Sequence, residues 1–428
     1  MPRAPWEVVV VGAGPAGLLA ALAAAQEGAA VLVLERGKEP GGKLPYAGGG
    51  RGNLSHTGEV PELLRHYHGG CRPGEAARFL RPALYAFSNR DLAAFFAARG
   101  LPLVAEADGR LFPKTGRARD ALLVLLTELD RLGVALRLEA RVQELRRAHG
   151  VFRILGEGGL RAEGRAVVLA PGGRARNPEP DGYRLAASLG HRLVPPRPAL
   201  VPVRVEPAAF APFRACAGVS LPSTRVLLVR GGRTLAQKEG AVLFTHVGLS
   251  GPAVLDLSRE VDPGDVLRVA LAPGLRTPEG AERRLLERAR GKRQLVTVLR
   301  ELGLPRGLAR ALLAAVGLGL EQRAAELPRE ARRGLAESLA LGHPFPVAAL
   351  GDWAEAMATR GGVALAEVDP KTMGSRLVPG LFFAGEILDF DGESGGYNLQ
   401  AAFSTGHLAG RSAARFVREQ RRHGARVG

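Results

Sequence analysis

The stretch "VVVVGAGPAGLLAALAAA", residues 8–25, decides the fold. A run of valines ends at Gly12, and an alanine- and leucine-rich segment follows Gly17, which predicts a buried strand, a tight turn and a helix. "AVLVLE" (30–35) then predicts a second buried strand, so the chain opens with a βαβ unit. The same uncharged residues resemble a signal peptide or a membrane span, but the central glycines and proline would interrupt a spanning helix.

Gly12, Gly14 and Gly17 have the spacing G-x-G-x-x-G. Within a βαβ unit the first glycine permits the turn, the second lets a pyrophosphate approach the backbone, and the third lets helix and strand pack closely. Glu35 ends the second strand, where a carboxylate can bind ribose hydroxyls and would repel a 2′-phosphate. The pattern therefore predicts a site for FAD or NAD rather than NADP.

Two later segments favour FAD over NAD. "AVVLAPGG" (166–173) predicts another strand that runs into a glycine turn. "FAGEILDFDGESGGYNLQAAFSTG" (383–406) places a strand end, an acidic loop and a glycine pair before a helix that we expect to begin near Asn398. Glu386 and Asp389 suit the ribityl hydroxyls of a flavin, and the helix start would stabilise the negative charge that the flavin pyrimidine gains on reduction.

The pattern of polar and apolar residues along the chain predicts one α/β domain made from both ends of the chain, with an inserted β-plus-helix domain between them. β-type alternation covers 203–272, and arginine-rich amphipathic helices continue to about residue 341. Further helices are predicted over 75–100 and 118–133. The predicted domains are the first part of the FAD-binding domain (1–197), the insert (198–346, β-rich over 198–272 and helical over 276–346) and the second part of the FAD-binding domain (347–428).

Composition restricts the class of protein. The 428 residues are 46% hydrophobic and 24% charged, which is ordinary for a soluble globular protein of two or three domains. Cys71 and Cys216 lie far apart with no C-x-x-C, which favours a reducing cytoplasm and argues against a disulfide scaffold, a zinc site or a redox dithiol. No metal site is predicted. We expect a cytoplasmic protein that is not a membrane protein; its oligomeric state stays open.

The net charge of +17 raises nucleic acid as a partner. The arginines are spread along predicted helices, however, and no aromatic-rich RNA-binding signature accompanies them. We interpret the excess charge as a solvated basic face and expect a small-molecule substrate instead of a nucleic acid.

Beyond these motifs, the sequence resembles the FAD-binding flavoprotein family that includes aminoacetone oxidase and the NAD(P)H-dependent 3-dehydro-bile-acid reductase. The matching stretches follow one another along almost the whole chain: the N-terminal glycine motif, "GGGRGNLSHTG" (48–58), "GRLFPKTGRARDALL" (109–123), "DGYRLAASLGHRLVPPRPALVPV" (181–203), "VLFTHVGLSGPAVLDLS" (242–258) and 361–410. The resemblance implies an α/β fold in which a two-part Rossmann-type FAD-binding domain is interrupted by an inserted β-barrel plus helical domain. Gly52, His56 and Pro171 stand where many relatives have Cys, Asn and Thr.

The motifs and the resemblance assign candidate cofactor residues. Lys43 and Arg51 are expected to meet pyrophosphate or flavin oxygens, Asn53 the flavin ring edge, and Val142 the adenine through its backbone. The full predicted FAD set is Gly12, Gly14, Pro15, Ala16, Gly17, Glu35, Arg36, Lys43, Leu44, Gly50, Arg51, Asn53, Leu54, Val142, Ala170, Pro171, Gly172, Gly385, Glu386, Gly395, Gly396, Tyr397, Asn398 and Leu399.

Two residues are candidate catalytic residues. Tyr397, beside the predicted flavin, is a candidate substrate contact, and packing against the flavin ring is the alternative. His246 could face the flavin from the insert, or could be a structural histidine. Asp391 is expected near the tip of the acidic loop, where its replacement would do little.

We expect an FAD-dependent oxidoreductase. Its flavin would take a hydride at N5 from substrate or from NAD(P)H and pass electrons to an enone-like acceptor or to oxygen. Because a second G-x-G-x-x-G and a redox cysteine pair are both missing, NAD(P)H is expected to dock transiently in the cleft between FAD domain and insert. Two other classes stay open: a flavoprotein that acts on RNA, and a non-catalytic flavin-binding or sensor protein.

Overall fold

The computed structural model describes residues 5–177, 179–272, 274–289 and 291–427, with the side chains of 424–427 left aside. The chain divides into two compact units, Met1–Arg197 with Ala358–Gly428, and Pro198–Met357. The second unit continues past the predicted end of the insert at residue 346, because a strand of its barrel ends only at Leu350. Within the described ranges, no helix combines the length and the apolar character that a membrane crossing requires.

The strands of the described residues are β1 (Trp6–Val11), β2 (Val31–Leu34), β3 (Ser55–His56), β4 (Tyr67–Gly69), β5 (Leu103–Ala105), β6 (Arg110–Pro113), β7 (Ala135–Arg137), β8 (Val142–Ala148), β9 (Val151–Gly156), β10 (Arg161–Leu169), β11 (Leu193–Ala199), β12 (Val203–Val205), β13 (Ser220–Arg230), β14 (Arg233–Phe244), β15 (Gly248–Ser250), β16 (Val266–Val269), β17 (His343–Leu350), β18 (Ala358–Val363), β19 (Leu381–Phe383) and β20 (Phe390–Gly392). The α-helices of those residues are α1 (Pro15–Gln26), α2 (Val60–Leu63), α3 (Glu75–Ala86), α4 (Asn89–Ala97), α5 (Ala118–Arg131), α6 (Asp181–Ser188), α7 (Pro207–Phe210), α8 (Pro252–Leu257), α9 (Pro278–Arg288), α10 (Leu295–Glu301), α11 (Arg306–Ala315), α12 (Arg329–Glu337) and α13 (Tyr397–Val427).

The first unit is built on a sheet of order β7-β2-β1-β10-β9-β8, with β19 also paired to β10. Strands β7, β2, β1, β10 and β19 run parallel, whereas β8 and β9 are antiparallel to their neighbours. The residues of β2 are all buried, as expected for parallel strands covered on both faces. The parallel arrangement brings the carboxyl ends of β1, β2, β10 and β19 to one edge of the sheet.

Helices α1 and α13 pack against each other through backbone. A Cβ added at Gly406 would overlap the Ala16 carbonyl oxygen, and one added at Gly410 would overlap that of Ala20. Glycine at these two positions lets the helices approach closely. Because α1 follows β1 and α13 follows β19 and β20, this packing joins the two chain segments of the first unit.

The second unit is a closed barrel of order β12-β15-β14-β13-β16-β17 together with helices α7–α12. Its core includes the fully buried rings of Phe213, Phe244 and Phe345. The two units confirm the predicted fold class, an α/β Rossmann-type domain in two chain segments with an inserted barrel-and-helix domain.

The predicted helix over 75–100 is two helices, α3 and α4. Ser88 lies between them as the N-cap of α4: its hydroxyl accepts from the Asp91 N–H, and the Asp91 carboxylate accepts from the Ser88 N–H. A helix that begins at Asn89 has backbone N–H groups in its first turn without helical partners, and this capping box provides acceptors for them. The chain therefore forms a new helix from Asn89.

Candidate functional site

Predicted cofactor residues follow the ends of β1, β2, β10 and β19, which lie at one edge of the parallel sheet. The Gly12 N–H, just beyond β1, donates to Leu34 O at the end of β2 at 2.8 Å. The Ala384 N–H, just beyond β19, donates to Leu169 O at the end of β10 at 3.0 Å. The crevice outside the carboxyl ends of parallel strands is where open α/β sheets bind their ligands, so the candidate site lies here.

The three glycines of the first turn differ in what a side chain at each position would meet. Gly12 has φ +103°, and a Cβ there would overlap the Ala170 carbonyl oxygen. A Cβ at Gly17 would overlap the Gly12 carbonyl oxygen. At Gly14, the N-cap of α1, no described atom lies within 4 Å of the position that a Cβ would take. Packing therefore requires glycine at positions 12 and 17, whereas Gly14 faces space that a ligand can fill.

A pocket at the ends of β1 and β2 gathers five of the predicted residues: Gly12, Glu35, Arg36, Val142 and Pro171. The Glu35 carboxylate accepts the N–H groups of Ala13 at 2.7 Å and Gly37 at 2.8 Å, which holds it at the pocket wall. Val142 is buried and lines the pocket, and its backbone contact with adenine stays a prediction. The pocket has the chemistry expected for the adenosine end of a dinucleotide.

Three polar residues of this pocket were not predicted from the sequence: Arg141, Asn177 and Asp181. Arg141 makes two hydrogen bonds to the Asp181 carboxylate, at 2.7 and 3.1 Å, and Arg36 donates to Asn177 Oδ1 at 2.6 Å. Burial raises the pKa of the Asp181 carboxyl, but the hydrogen bonds and positive charges of Arg141 and Arg184 together outweigh burial and hold that pKa below its usual range. The sequence did contain a signal for Asp181, because this residue opens the stretch "DGYRLAASLG", which contributed to the resemblance but was given no role.

A second group of predicted residues lies at the ends of β10 and β19. The Lys43 ammonium pairs with both carboxylate oxygens of Glu386, at 2.6 and 2.8 Å. The buried Tyr183 hydroxyl, also missed in the sequence, donates to Glu386 O at 3.5 Å. Asp389 is almost fully buried, and this burial raises the pKa of its carboxyl to about 6. Two of the predicted acidic residues therefore lie beside this edge of the sheet, and their contact with a ribityl chain stays a prediction.

Four other predicted cofactor residues, Arg51, Leu44, Leu54 and Gly50, have different surroundings. The Arg51 guanidinium pairs with Glu106 and lies 4.3 Å from the centre of the Phe112 ring, with 54% of its side chain exposed. Leu44 and Leu54 are fully buried in the core of the first unit. Gly50 is an exposed residue at the end of the 3₁₀ segment 44–50.

The last helix begins at Tyr397, one residue before the predicted start. Asn53 accepts the Gly396 N–H at 3.1 Å and donates to Ser55 O at 3.0 Å through its side-chain amide. Asn398 closes the preceding loop, since its side chain accepts from the Gly392 N–H at 2.8 Å and donates to Gly392 O at 2.7 Å. These bonds fix the path of the glycine pair that leads into α13.

The two candidate catalytic residues belong to different compact units. Tyr397 is 4% exposed, and its ring stacks between the rings of His56, at 5.0 Å, and His66, at 4.3 Å. His246 is exposed in the turn between β14 and β15 of the second unit. A catalytic role for His246 stays a prediction.

One expectation about the acidic loop was wrong. Asp391 does not lie at a loop tip: it is 2% exposed, and it lies in β20 opposite His68 of β4. A polar side chain that is buried in a paired strand contributes to local structure. We therefore no longer expect replacement of Asp391 to be neutral.

Glu386→Ala should weaken FAD binding moderately. The substitution removes a hydrogen-bonding carboxylate and leaves Lys43 without that partner, which predicts a loss of about 1–3 kcal/mol in binding free energy. Fluorescence titration of the apoprotein with FAD measures the change. Glu59→Ala is the matched control, because Glu59 forms an exposed pair with Arg90 and such pairs contribute little. Equal losses in both variants would contradict a cofactor role for Glu386.

The residues present fit FAD. Open space in front of Gly14 and Gly172 leaves room for the ligand to approach the backbone, Glu35 lies at the adenosine pocket, and the Lys43–Glu386 pair lies at the other strand ends. The fold and this site define a class, the FAD-dependent oxidoreductases with a two-part Rossmann-type domain.

Comparison with known proteins specifies the family. The chain belongs to the family described as HI0933-like protein Rossmann domain, which matches residues 6–412. It is 32% identical to the 3-dehydro-bile acid delta(4,6)-reductase of Clostridium scindens over 95% of this chain and 98% of that protein. It is 30% identical to the ribosomal RNA dihydrouridine synthase of Haemophilus influenzae, over 96% of this chain and 98% of that protein. The predicted family is confirmed.

A solved structure agrees at the level of the fold. The 3-ketosteroid-delta4-(5alpha)-dehydrogenase of Rhodococcus jostii RHA1, in complex with 4-androstene-3,17-dione, matches with a TM-score of 0.50 and 19% identity, over 96% of this chain and 97% of that one. At this identity the likeness concerns the architecture alone.

Proposed function

We propose that this protein is a reductase that saturates a carbon–carbon double bond conjugated to a carbonyl group in a small-molecule acceptor, with NAD(P)H as reductant. FAD, when bound, supplies hydride transfer at its N5 atom. The observation that carries the proposal is that the ends of β1, β2, β10 and β19 lie at one sheet edge, with the Lys43–Glu386 pair beside them.

The names of the two relatives support this reaction class. A 3-dehydro-bile acid with double bonds at positions 4 and 6 and the uracil ring of uridine both hold a C=C bond conjugated to a carbonyl. Both names therefore describe the addition of two hydrogen atoms to an electron-poor double bond. A reductase for conjugated carbonyl compounds is the activity that this chain could share with both.

The chain's own residues bind and orient the cofactor in this proposal. The α1 N-terminus at Gly14 receives the pyrophosphate, because backbone N–H groups and the helix dipole favour an anion there. Glu35 binds the ribose hydroxyls and Glu386 the ribityl chain. The start of α13 would hold the flavin pyrimidine, and the Tyr397 side chain at that start is buried.

Anaerobic mixing with NADH or NADPH in a stopped-flow spectrophotometer tests the reductant. We expect one of the two nicotinamides to bleach the flavin absorbance near 450 nm, and an enone added next to restore it. 4-Androstene-3,17-dione and 2-cyclohexen-1-one serve as acceptors, and the saturated ketone cyclohexanone is the control. Bleaching by neither nicotinamide would contradict NAD(P)H as reductant, and no recovery with either enone would contradict the acceptor class.

A uridine in RNA is the second candidate acceptor, since a similar protein is a ribosomal RNA dihydrouridine synthase and the net charge is +17. The small-molecule acceptor is preferred because the arginines are spread along the chain and no aromatic-rich RNA-binding signature accompanies them. Filter binding of ribosomal RNA over a salt series distinguishes the two candidates, because phosphate contacts make affinity fall steeply with salt.

A further inference from the structure

Four residues that the binding of FAD does not use form a titratable cluster beside Tyr397. The Glu393 carboxylate receives His66 Nδ1 at 2.9 Å on one oxygen and His68 Nε2 at 3.1 Å on the other. The Glu393 N–H donates to His66 O at 3.0 Å, and the Tyr67 hydroxyl donates to Tyr397 O at 2.9 Å. The cluster is therefore held by backbone and side chains together, next to the glycine pair that precedes α13.

The cluster contains a compensated buried charge. Glu393 is 7% exposed, and a carboxylate this far from water is stable as an anion only when donors or a positive charge surround it. The two imidazoles supply the donors that this buried carboxylate requires, one to each of its oxygens.

The two imidazoles differ in which ring nitrogen is not bonded to Glu393. His66 uses Nδ1 on Glu393, so its outer nitrogen, Nε2, makes no hydrogen bond with any residue that the structure describes. His68 uses Nε2 instead, and the nitrogen left over lies next to its own backbone. The His66 ring also stacks on Tyr397, with 17° between the planes, and keeps 37% of its side chain exposed. His66 is the group of this cluster that can reach a bound molecule.

We propose that His66 donates, from Nε2, the proton that completes the reduction of the acceptor, and that Glu393 is its positioning residue; this proposal rests on the proposed function. The acceptor's C=C bond takes up a hydride at the carbon β to the carbonyl and a proton at the α carbon. The electron pair of the C=C bond forms the C–H bond to that proton. NAD(P)H, the source of the hydride, is oxidised to NAD(P)⁺, and His66 regains its proton from water.

Glu393 acts through orientation. With one carboxylate oxygen on each imidazole, it cannot rotate without breaking both bonds, so His66 stays turned with Nε2 outward. The titratable groups that surround this imidazole are Glu393, Tyr397, His56, Tyr67, His68 and, opposite His68 on β20, Asp391.

His66→Ala tests the proton donor in holoprotein that dithionite has reduced, so that the reductant plays no part. After anaerobic mixing with 4-androstene-3,17-dione or 2-cyclohexen-1-one, reoxidation of the flavin should be slower by about 10²–10⁴-fold, the contribution typical of general acid catalysis. FAD affinity and the rate of bleaching by NAD(P)H should change less than about 2-fold, since neither requires the proton. Free imidazole should restore part of the lost rate.

His423→Ala is the matched control, because His423 is exposed on α13 and bonds only to Glu419 O among the described residues. Glu393→Gln should keep FAD bound and slow the reoxidation of the flavin, since an amide offers one acceptor atom instead of two and leaves one of the two imidazoles without its partner. A wild-type rate in His66→Ala, or a loss that imidazole does not restore, would overturn the proton donor. If neither enone reoxidises the wild-type protein, the proposed function itself fails.

Discussion

Gly14→Val should abolish FAD retention while the apoprotein stays folded. A Cβ at this position meets no described atom within 4 Å, so the substitution leaves the packing of α1 intact. It fills the space in which a pyrophosphate would approach the α1 N-terminus. The loss of two backbone hydrogen bonds to a charged group, at about 1.5–3 kcal/mol each, predicts an FAD affinity lower by about 10²–10⁴-fold.

The measurement pairs fluorescence titration with FAD and thermal unfolding of the apoprotein. Gly334→Val is the control, because a Cβ at this exposed glycine of α12 also meets nothing within 4 Å. Gly17→Val gives the opposite result, a destabilised apoprotein, since its Cβ would overlap the Gly12 carbonyl oxygen. Normal FAD affinity in Gly14→Val would show that the pyrophosphate does not bind at this helix.

The sequence predicted the cofactor half of the site because short-range patterns determine it. The valine run, the glycine spacing and Glu35 lie within the first 35 residues, and a βαβ unit brings them together without help from the rest of the chain. Parallel strands also have one common carboxyl edge. The segments after β10 and β19 were therefore correctly expected to lie near the first turn.

The half of the site beside Tyr397 could not be predicted, since no local pattern describes it. His66 and Glu393 are 327 positions apart, and the pairing of β4 with β20 brings them together. Each of these strands has three residues, too few to display an alternation of polar and apolar side chains. "DFDGES" has the composition of a turn, and for this reason Asp391 was expected at a loop tip.

The direction of a side chain from a glycine-rich loop is equally hidden in the sequence. Lys43 and Arg51 are both basic residues of the segment 40–58, and both were assigned to cofactor oxygens. Lys43 lies beside the strand ends with Glu386, whereas Arg51 is directed toward Glu106 and Phe112. Glycines impose no periodicity, so only the folded loop distinguishes these two residues.

Gly396→Val should release FAD and destabilise the first unit. Gly396 has φ +99°, a conformation that costs an L-residue about 1–3 kcal/mol. Its Cβ would also overlap the Ser55 carbonyl oxygen and approach the Asn53 side chain. The backbone must then move away from Ser55, which breaks the hydrogen bond from the Gly396 N–H to Asn53 and displaces the start of α13.

We expect Gly396→Val to lose FAD on gel filtration, with an affinity lower by on the order of 10²-fold once two charged-group hydrogen bonds at the flavin pyrimidine are lost. Gly319→Val, at an exposed glycine with open space and no positive φ, should keep wild-type affinity. Limited proteolysis followed by mass spectrometry should find Pro198–Met357 intact in both variants, because the second unit has its own core. Full FAD retention by Gly396→Val would mean that the start of α13 does not bind the flavin. In that outcome His66 and Glu393, beside Tyr397, would lie away from the reacting atoms as well.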